Sequence, residues 1–287
     1  MHYLQVLILA IIQGMAELLP VSSSAHVIVA EKLMGLDPSS PEMTFLLVML
    51  HTGTMLAVLL YFWPRWRPIL ASSQRTRYLK MIVLATVCTG VLALVLELLI
   101  ENIILMRLLG RERGELEELF KHLPLVAASL FAAGILILWA ARHDAGRVGY
   151  THPTELTLRS SIWIGFVQGF CIPFRGFSRS GATISTALIQ GVARPAAEDF
   201  SFALALVLTP AAIARLLRRL MRSQELSAGT LTASLSTGIL GMILSFAAGL
   251  VALKLLSVAL EKGQWKFFGY YCIGAAFVVL ALAVLGI

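Results

Sequence analysis

The sequence predicts an all-α integral membrane protein built as an inverted repeat, each half one re-entrant helical hairpin plus three transmembrane helices. Three observations predict it. Hydrophobic residues fill 58% of the 287 positions and charged residues only 14%, against about 25% charged in an ordinary soluble domain. The apolar residues are gathered into long runs, six of which reach the ~20 residues that a spanning helix needs. Two further runs are too short to span, and each breaks off into a Gly/Pro/Ser-interrupted stretch at a corresponding place in one half of the chain.

The first observation excludes a soluble enzyme, a disordered tail and a disulfide-stapled module. Mean hydropathy is +0.84, and a soluble core could not hide that much apolar surface. The formal net charge of +7 reads as the basic excess of loops beside a membrane, so no nucleic-acid partner is expected. Cys88, Cys171 and Cys272 are scattered through apolar segments without metal-ligand spacing and read as small packing residues. No Lys or Arg precedes Lys32, so the basic start of a cleaved signal peptide is missing.

In chain order, the short run 3–12 leads into a polar stretch and a second helical piece near 25–35. Spans follow at 43–63, 79–105 and 123–141. The short run 160–173 leads into a second interrupted stretch and a piece near 181–192, followed by spans at 198–217, 232–260 and 266–287. The chain is thus expected to form one transmembrane domain, 1–287, with a first repeat over 1–141 and a second over 158–287.

The repeat rests on landmarks. Gln13-Gly14 and Gln168-Gly169 each precede apolar residues, a proline (Pro20, Pro173) and a serine cluster. Downstream, Gly35 matches Gly191, Pro41 matches Pro195 and Phe45 matches Phe200, at an offset that stays within 154–156 residues. A steady offset over several unlike landmarks points to duplication. Three crossings per half is an odd number, so the second half starts on the opposite side. Paired broken segments mark a site at the repeat interface, because irregular backbone is tolerated at membrane depth only inside protein or beside a water-filled cavity. Orientation is weakly encoded: eleven basic residues lie on the side opposite the N-terminus and nine on its own side. That favours the former side as cytoplasmic.

The chemistry is expected in the two interrupted stretches. Gln13 and Glu17 are four apart and share a helix face; a carboxylate there is expensive and signals function. Ser22, Ser23, Ser24 and His26 follow Pro20. Serines before a helix are commonly caps, but three hydroxyls, a histidine and free backbone N–H groups at a helix start also bind anions. Ser178, Arg179, Ser180 and Thr183 form the matching cluster. The guanidinium of Arg179 suits phosphate oxygens or, structurally, a pair with Glu17. Arg175 is a second phosphate contact or snorkels towards water. Together these suit handling of a phosphate ester or anhydride on a lipid, with Glu17 holding a hard divalent cation or serving as a base. Glu97 and Glu101 read as an interfacial helix end, His51 as helix packing or a hydrogen-bonding role, and 107–122 as a solvated loop.

Three motifs carry a resemblance to the undecaprenyl-diphosphate phosphatase family of the bacitracin-resistance type: Gln13-xxx-Glu17, Leu19-Pro20-Val21-Ser22-Ser23-Ser24-Ala25-His26, and Gly176-Phe177-Ser178-Arg179-Ser180-Gly181-Ala182-Thr183. It implies a divalent-cation-dependent (magnesium or calcium) phosphatase of the bacterial plasma membrane, acting on a polyprenyl diphosphate lipid to recycle the cell-wall carrier. It also implies the inverted-repeat fold and a site open to the outer side. The resemblance places the acidic, cation-holding motif on Gln13 and Glu17, and the catalytic serine, histidine and arginine on Ser23, His26 and Arg179. Ser22, Ser24, Arg175, Ser178, Ser180 and Thr183 are left as phosphate contacts. Two features depart from the family pattern: Ala25 stands for the usual glycine, and Phe174-Arg175 separates a proline and glycine that are usually adjacent. The nucleophile stays open among His26, Ser23 and water, and a homodimer stays open as well. A lipid-phosphate flippase could use the same arginine and serines without cutting. A type-2 phosphatidic acid phosphatase is disfavoured, because 181–193 contains no histidine.

Overall fold

The computed structural model describes residues 2–38, 40–100, 122–144, 156–222 and 228–285. Ten helices occur among these residues, and no strand. They are α1 (Tyr3–Leu18), α2 (Ser23–Leu33), α3 (Pro41–Ala71), α4 (Arg75–Leu99), α5 (Leu123–Asp144), α6 (Leu158–Cys171), α7 (Arg179–Ile189), α8 (Arg194–Arg222), α9 (Ala228–Glu261) and α10 (Trp265–Val284). Six of them, α3, α4, α5, α8, α9 and α10, are long and apolar enough to cross a membrane. Over the described residues the six expected spans fall one in each. The protein is an all-helical, multi-pass membrane protein. Glu101 and all of the 107–122 loop except residue 122 lie outside the described residues.

The short runs become α1 and α6, and their second pieces become α2 and α7. Hydropathy misplaces three boundaries, for identifiable reasons. The helix begun at Tyr3 does not stop at residue 12 but runs to Leu18, carrying Gln13 and Glu17 on one face. It ends where Pro20 forces Leu19 into extended backbone, φ −76° and ψ 151°. α2 and α7 start two residues earlier than the apolar pattern suggests, because their first turns are polar. Ser22 Oγ accepts the Ala25 N–H and Ser178 Oγ accepts the Gly181 N–H, each as an N-cap.

Packing joins the two halves. α1 lies along α9 and α6 lies along α4, so each short helix leans on a long helix of the other half. Both contacts use the glycine of the Gln-Gly pair. A Cβ on Gly14 would stand 2.6 Å from the Ser245 carbonyl oxygen, and one on Gly169 2.6 Å from that of Thr89. In lipid, helices gain little from hydrophobic burial against each other, so backbone proximity of this kind is what holds them. α3 packs on α8 and α9, and α5 on α7 and α10.

At one end of the α3–α8–α9 contact, Phe62 stacks with Trp66 and Phe202. Beside them Arg65 Nη1 bonds Glu198 Oε2 and Asp199 Oδ1, both at 3.0 Å. Ser257 Oγ donates to Glu198 Oε1 at 2.6 Å and accepts from Tyr61 at 2.9 Å. The outer faces of α4 (Val83, Val87, Val91) and α10 (Phe277, Val278) are exposed, as lipid-facing helix surfaces must be.

Candidate active site

The turns between α1 and α2 and between α6 and α7 meet. Ser180 Oγ donates to the Leu19 carbonyl at 3.3 Å, and the Gly176 N–H donates to Ser24 Oγ at 3.4 Å. Gly176 has φ +104°, and a Cβ there would lie 2.4 Å from the Val126 carbonyl oxygen. Only glycine lets this turn sit so close to α5 and present its N–H to Ser24. Cys272 on α10 donates its S–H to the Pro20 carbonyl at 3.3 Å, pinning the other turn.

Glu17 is the centre of the site. Arg179 Nη2 bonds Glu17 Oε1 at 2.6 Å. Gln13 Nε2 donates to Oε2 at 3.1 Å, and Ser23 Oγ donates to the same oxygen at 2.5 Å. The sequence positions these groups by simple means. Gln13 and Glu17 share a face of α1, while Ser23 and Arg179 are the first residues of α2 and α7. Those two helix starts converge on the cluster, and the backbone N–H groups of Ser23, Ser24, Arg179 and Ser180 have no acceptor among the described residues. Such groups, with the positive end of the helix dipole, suit an anion. Nε and Nη1 of Arg179 likewise make no hydrogen bond with the described residues.

A narrow cleft opens beside the pair. Glu17, Arg179, Ser180 and Thr183 line one wall, and Thr54 of α3 with Ser201 and Thr209 of α8 line another. Ser201 Oγ is buried with no hydrogen-bond partner among the described residues. His51 of α3 stands near enough to Glu17 to interact with it electrostatically, while its Nδ1 bonds the Leu47 carbonyl at 2.9 Å.

The other expected residues are placed differently. Ser22 and Ser178 are buried helix caps. Ser24 bridges the two turns. Thr183 reaches the cleft wall but donates its hydroxyl to the Arg179 carbonyl at 2.9 Å. Arg175 is half-buried and does not line the cleft. His26 takes its hydrogen bonds outside the Glu17 cluster. Its Nδ1 bonds the Ser22 carbonyl and its Nε2 bonds the Tyr271 hydroxyl of α10, each at 2.8 Å. Glu97 pairs loosely with Arg215 at 3.7 Å, as suits a helix end. The site residues that sequence reasoning passed over are Thr54, Ser201, Thr209 and Tyr271. Thr209 is a single polar group in an apolar run; Thr54, Ser201 and Tyr271 stand beside other polar residues (His51-Thr52, Glu198-Asp199 and Tyr270), but nothing local marks them for these roles.

The arrangement offers a fixed carboxylate in contact with a hydroxyl, a guanidinium with N–H groups to spare, and two helix starts. For a cation, the donors at hand are one carboxylate, one amide and one hydroxyl, all hard oxygen ligands. No group of three or more His, Cys, Asp or Glu occurs among the described residues, so a closed zinc-type cage is not built there. One carboxylate completed by substrate phosphate oxygens fits magnesium or calcium.

Comparison with known proteins agrees with this chemistry. The chain is 52% identical over 292 residues to undecaprenyl-diphosphatase 2 of Acinetobacter baylyi, covering 99% of each chain. It is 35% identical to an undecaprenyl-diphosphatase of Desulfosudis oleivorans over 95% of each. With one from Halothermothrix orenii it shares 30% identity over 98% of this chain and 99% of that one. The family pattern described as bacitracin resistance protein BacA matches residues 6–278, and on that match the chain belongs to the BacA family.

Proposed function

We propose that this protein is a membrane phosphatase that hydrolyses undecaprenyl diphosphate to undecaprenyl phosphate and inorganic phosphate, returning the carrier lipid to cell-wall synthesis. The observation that carries the reading is the Glu17 cluster: a carboxylate bonded at once to a serine hydroxyl and to an arginine, at two converging helix starts. The full-length similarity to proteins named undecaprenyl-diphosphatase supports it.

In this reading the terminal phosphoryl group enters the cleft against Arg179 and the N–H groups at the starts of α2 and α7, which stabilise its charge in the transition state. Arg179 exchanges part of its bond to Glu17 for phosphate oxygens. Glu17 accepts the proton of the attacking oxygen. The hydroxyl already aimed at it is that of Ser23, which supports Ser23, or a water taking its place, as the attacking group. The bond from the terminal phosphorus to the bridging oxygen breaks, and lipid monophosphate leaves. Where water attacks, inorganic phosphate is formed directly; where Ser23 attacks, a water that gives its proton to Glu17 then cleaves the phosphoserine, releasing inorganic phosphate and restoring the hydroxyl. Glu17, with Gln13 turned to present its amide oxygen, would hold the divalent cation. Such an ion supplies charge neutralisation at the phosphate oxygens.

The site is proposed to sit where the two turns meet within an inverted pair of re-entrant hairpins. The cross-half packing of α1 on α9 and of α6 on α4 supports this. We further place the protein in the bacterial inner membrane with the cleft reached from the outer side. A homodimer is compatible with the reading but not required by it, since every residue of the cluster comes from one chain.

The test is phosphate release by purified protein in detergent from undecaprenyl and shorter isoprenyl diphosphates. Release is expected with magnesium or calcium and should stop with chelator. Lipid transfer between leaflets without phosphate release would replace the phosphatase reading with a transporter.

A further inference from the structure

The histidine of the first motif and a tyrosine some 245 residues downstream form a unit that the Glu17 cluster does not include. The Ser22 carbonyl can only accept, so the proton on the His26 ring is on Nδ1. Nε2 of the neutral ring then has a lone pair, and the Tyr271 hydroxyl donates to it at 2.8 Å. The two rings lie almost parallel, 12° apart with centroids separated by 5.7 Å.

Both ends of the unit are held in place. Ser22 is the only non-glycine among the described residues with positive φ, +69°. That conformation is costly for a residue with a side chain and persists only where surroundings impose it. The Ser22 carbonyl accepts both the His26 backbone N–H, at 3.4 Å, and the ring Nδ1–H. On the other side, Cys272, next to Tyr271, is bonded to the Pro20 carbonyl of the same turn. Tyr271 can also reverse its bond. If Nε2 takes a proton, the tyrosine oxygen accepts it, so His26 keeps two partners in either protonation state.

We infer that Tyr271 is a positioning residue for the reaction: with the Ser22 carbonyl setting the Nδ1–H tautomer of His26, the Tyr271 hydroxyl holds the ring and engages its Nε2 lone pair, leaving His26 to exchange protons rather than attack phosphorus. The inference rests on the phosphatase reading for the reaction itself, but the tautomer is a property of the protein without substrate.

The test uses full-length wild type and Tyr271→Phe, which keeps the ring and removes only the O–H. With undecaprenyl diphosphate, the variant should lose kcat roughly tenfold while KM stays within about twofold. Unchanged kcat and KM would overturn the inference. Nitrogen-15 NMR of histidine-labelled wild type should show His26 protonated at Nδ1, and its Nε2 resonance should move in Tyr271→Phe. An Nε2–H tautomer overturns the inference even if the variant does not fold. Acid and alkaline quench of turnover with terminally labelled substrate should trap no phosphohistidine, which survives alkali but not acid; finding it would make His26 the nucleophile. If wild type releases no phosphate, the phosphatase reading falls and the catalytic role of Tyr271 falls with it, whereas the tautomer measurement still reports on the geometry.

Discussion

Both carboxylate oxygens of Glu17 are occupied, one by Arg179 and the other by Gln13 and Ser23. A charge held so tightly has two jobs that substitutions can separate. Removing one member of a buried ion pair strands the other, which costs roughly 3–5 kcal/mol when both are fully buried. Arg179 retains 28% side-chain exposure and Glu17 12%, so the penalty here falls below that range. Glu17→Gln and Arg179→Met should each lower the thermal midpoint in detergent and reduce phosphate release at least ~100-fold. The double variant, which leaves no charge stranded, should regain most of the stability and none of the activity. If the double variant is no more stable than the singles, the pair is not what makes each substitution costly. Ser22 and Ser178 illustrate the other outcome at this scale: they are serines of the motifs whose oxygens serve the helix and not the cleft.

At the scale of elements, the spans were legible because hydropathy sums over about 20 residues, and such a sum survives single polar exceptions. The short helices were legible through their shortness, and the motifs through the density of polar residues around Pro20 and Pro173. Boundaries were less so: α1 continues through Gln13 and Glu17 because nothing stops a helix before Pro20, however polar its face. Thr54, Ser201, Thr209 and Tyr271 were illegible for a different reason. Their roles come from helix contacts between residues far apart in the chain, and a hydroxyl within a span has many uses. The close approach of α1 to α9 through Gly14 carries its own prediction. Gly14→Val adds atoms where 2.6 Å separates an ideal Cβ from the Ser245 carbonyl oxygen, and it should push α1, and Glu17 with it, off α9. Activity should fall with the thermal midpoint, unlike in the Glu17/Arg179 double variant, where stability and activity part company.

For the whole molecule, the proposed topology makes a labelling pattern. A re-entrant α1–α2 hairpin returns to the side it entered from, so cysteines at His2 and Asp37 should react with a membrane-impermeant reagent from one face. Cysteines at Arg159 and Val192, around α6–α7, should react from the opposite face. Labelling of either pair from both faces would mean that a hairpin crosses. The network of Arg65, Glu198 and Asp199, extended by Ser257 of α9, joins the same two helices, α3 and α8, that wall the cleft. It fixes their relative position without touching Glu17.

The bond between Arg179 and Glu17 also sets how the site treats what it binds. With one guanidinium nitrogen already bonded to Glu17, an incoming phosphate does not meet a bare charge; it competes with an internal carboxylate. Every anion pays the same toll, inorganic phosphate included, so the leaving product is held less firmly than an unpaired arginine would hold it. Glu17 is ready to reclaim Arg179 as the product departs, and the resting pair thereby works in favour of turnover.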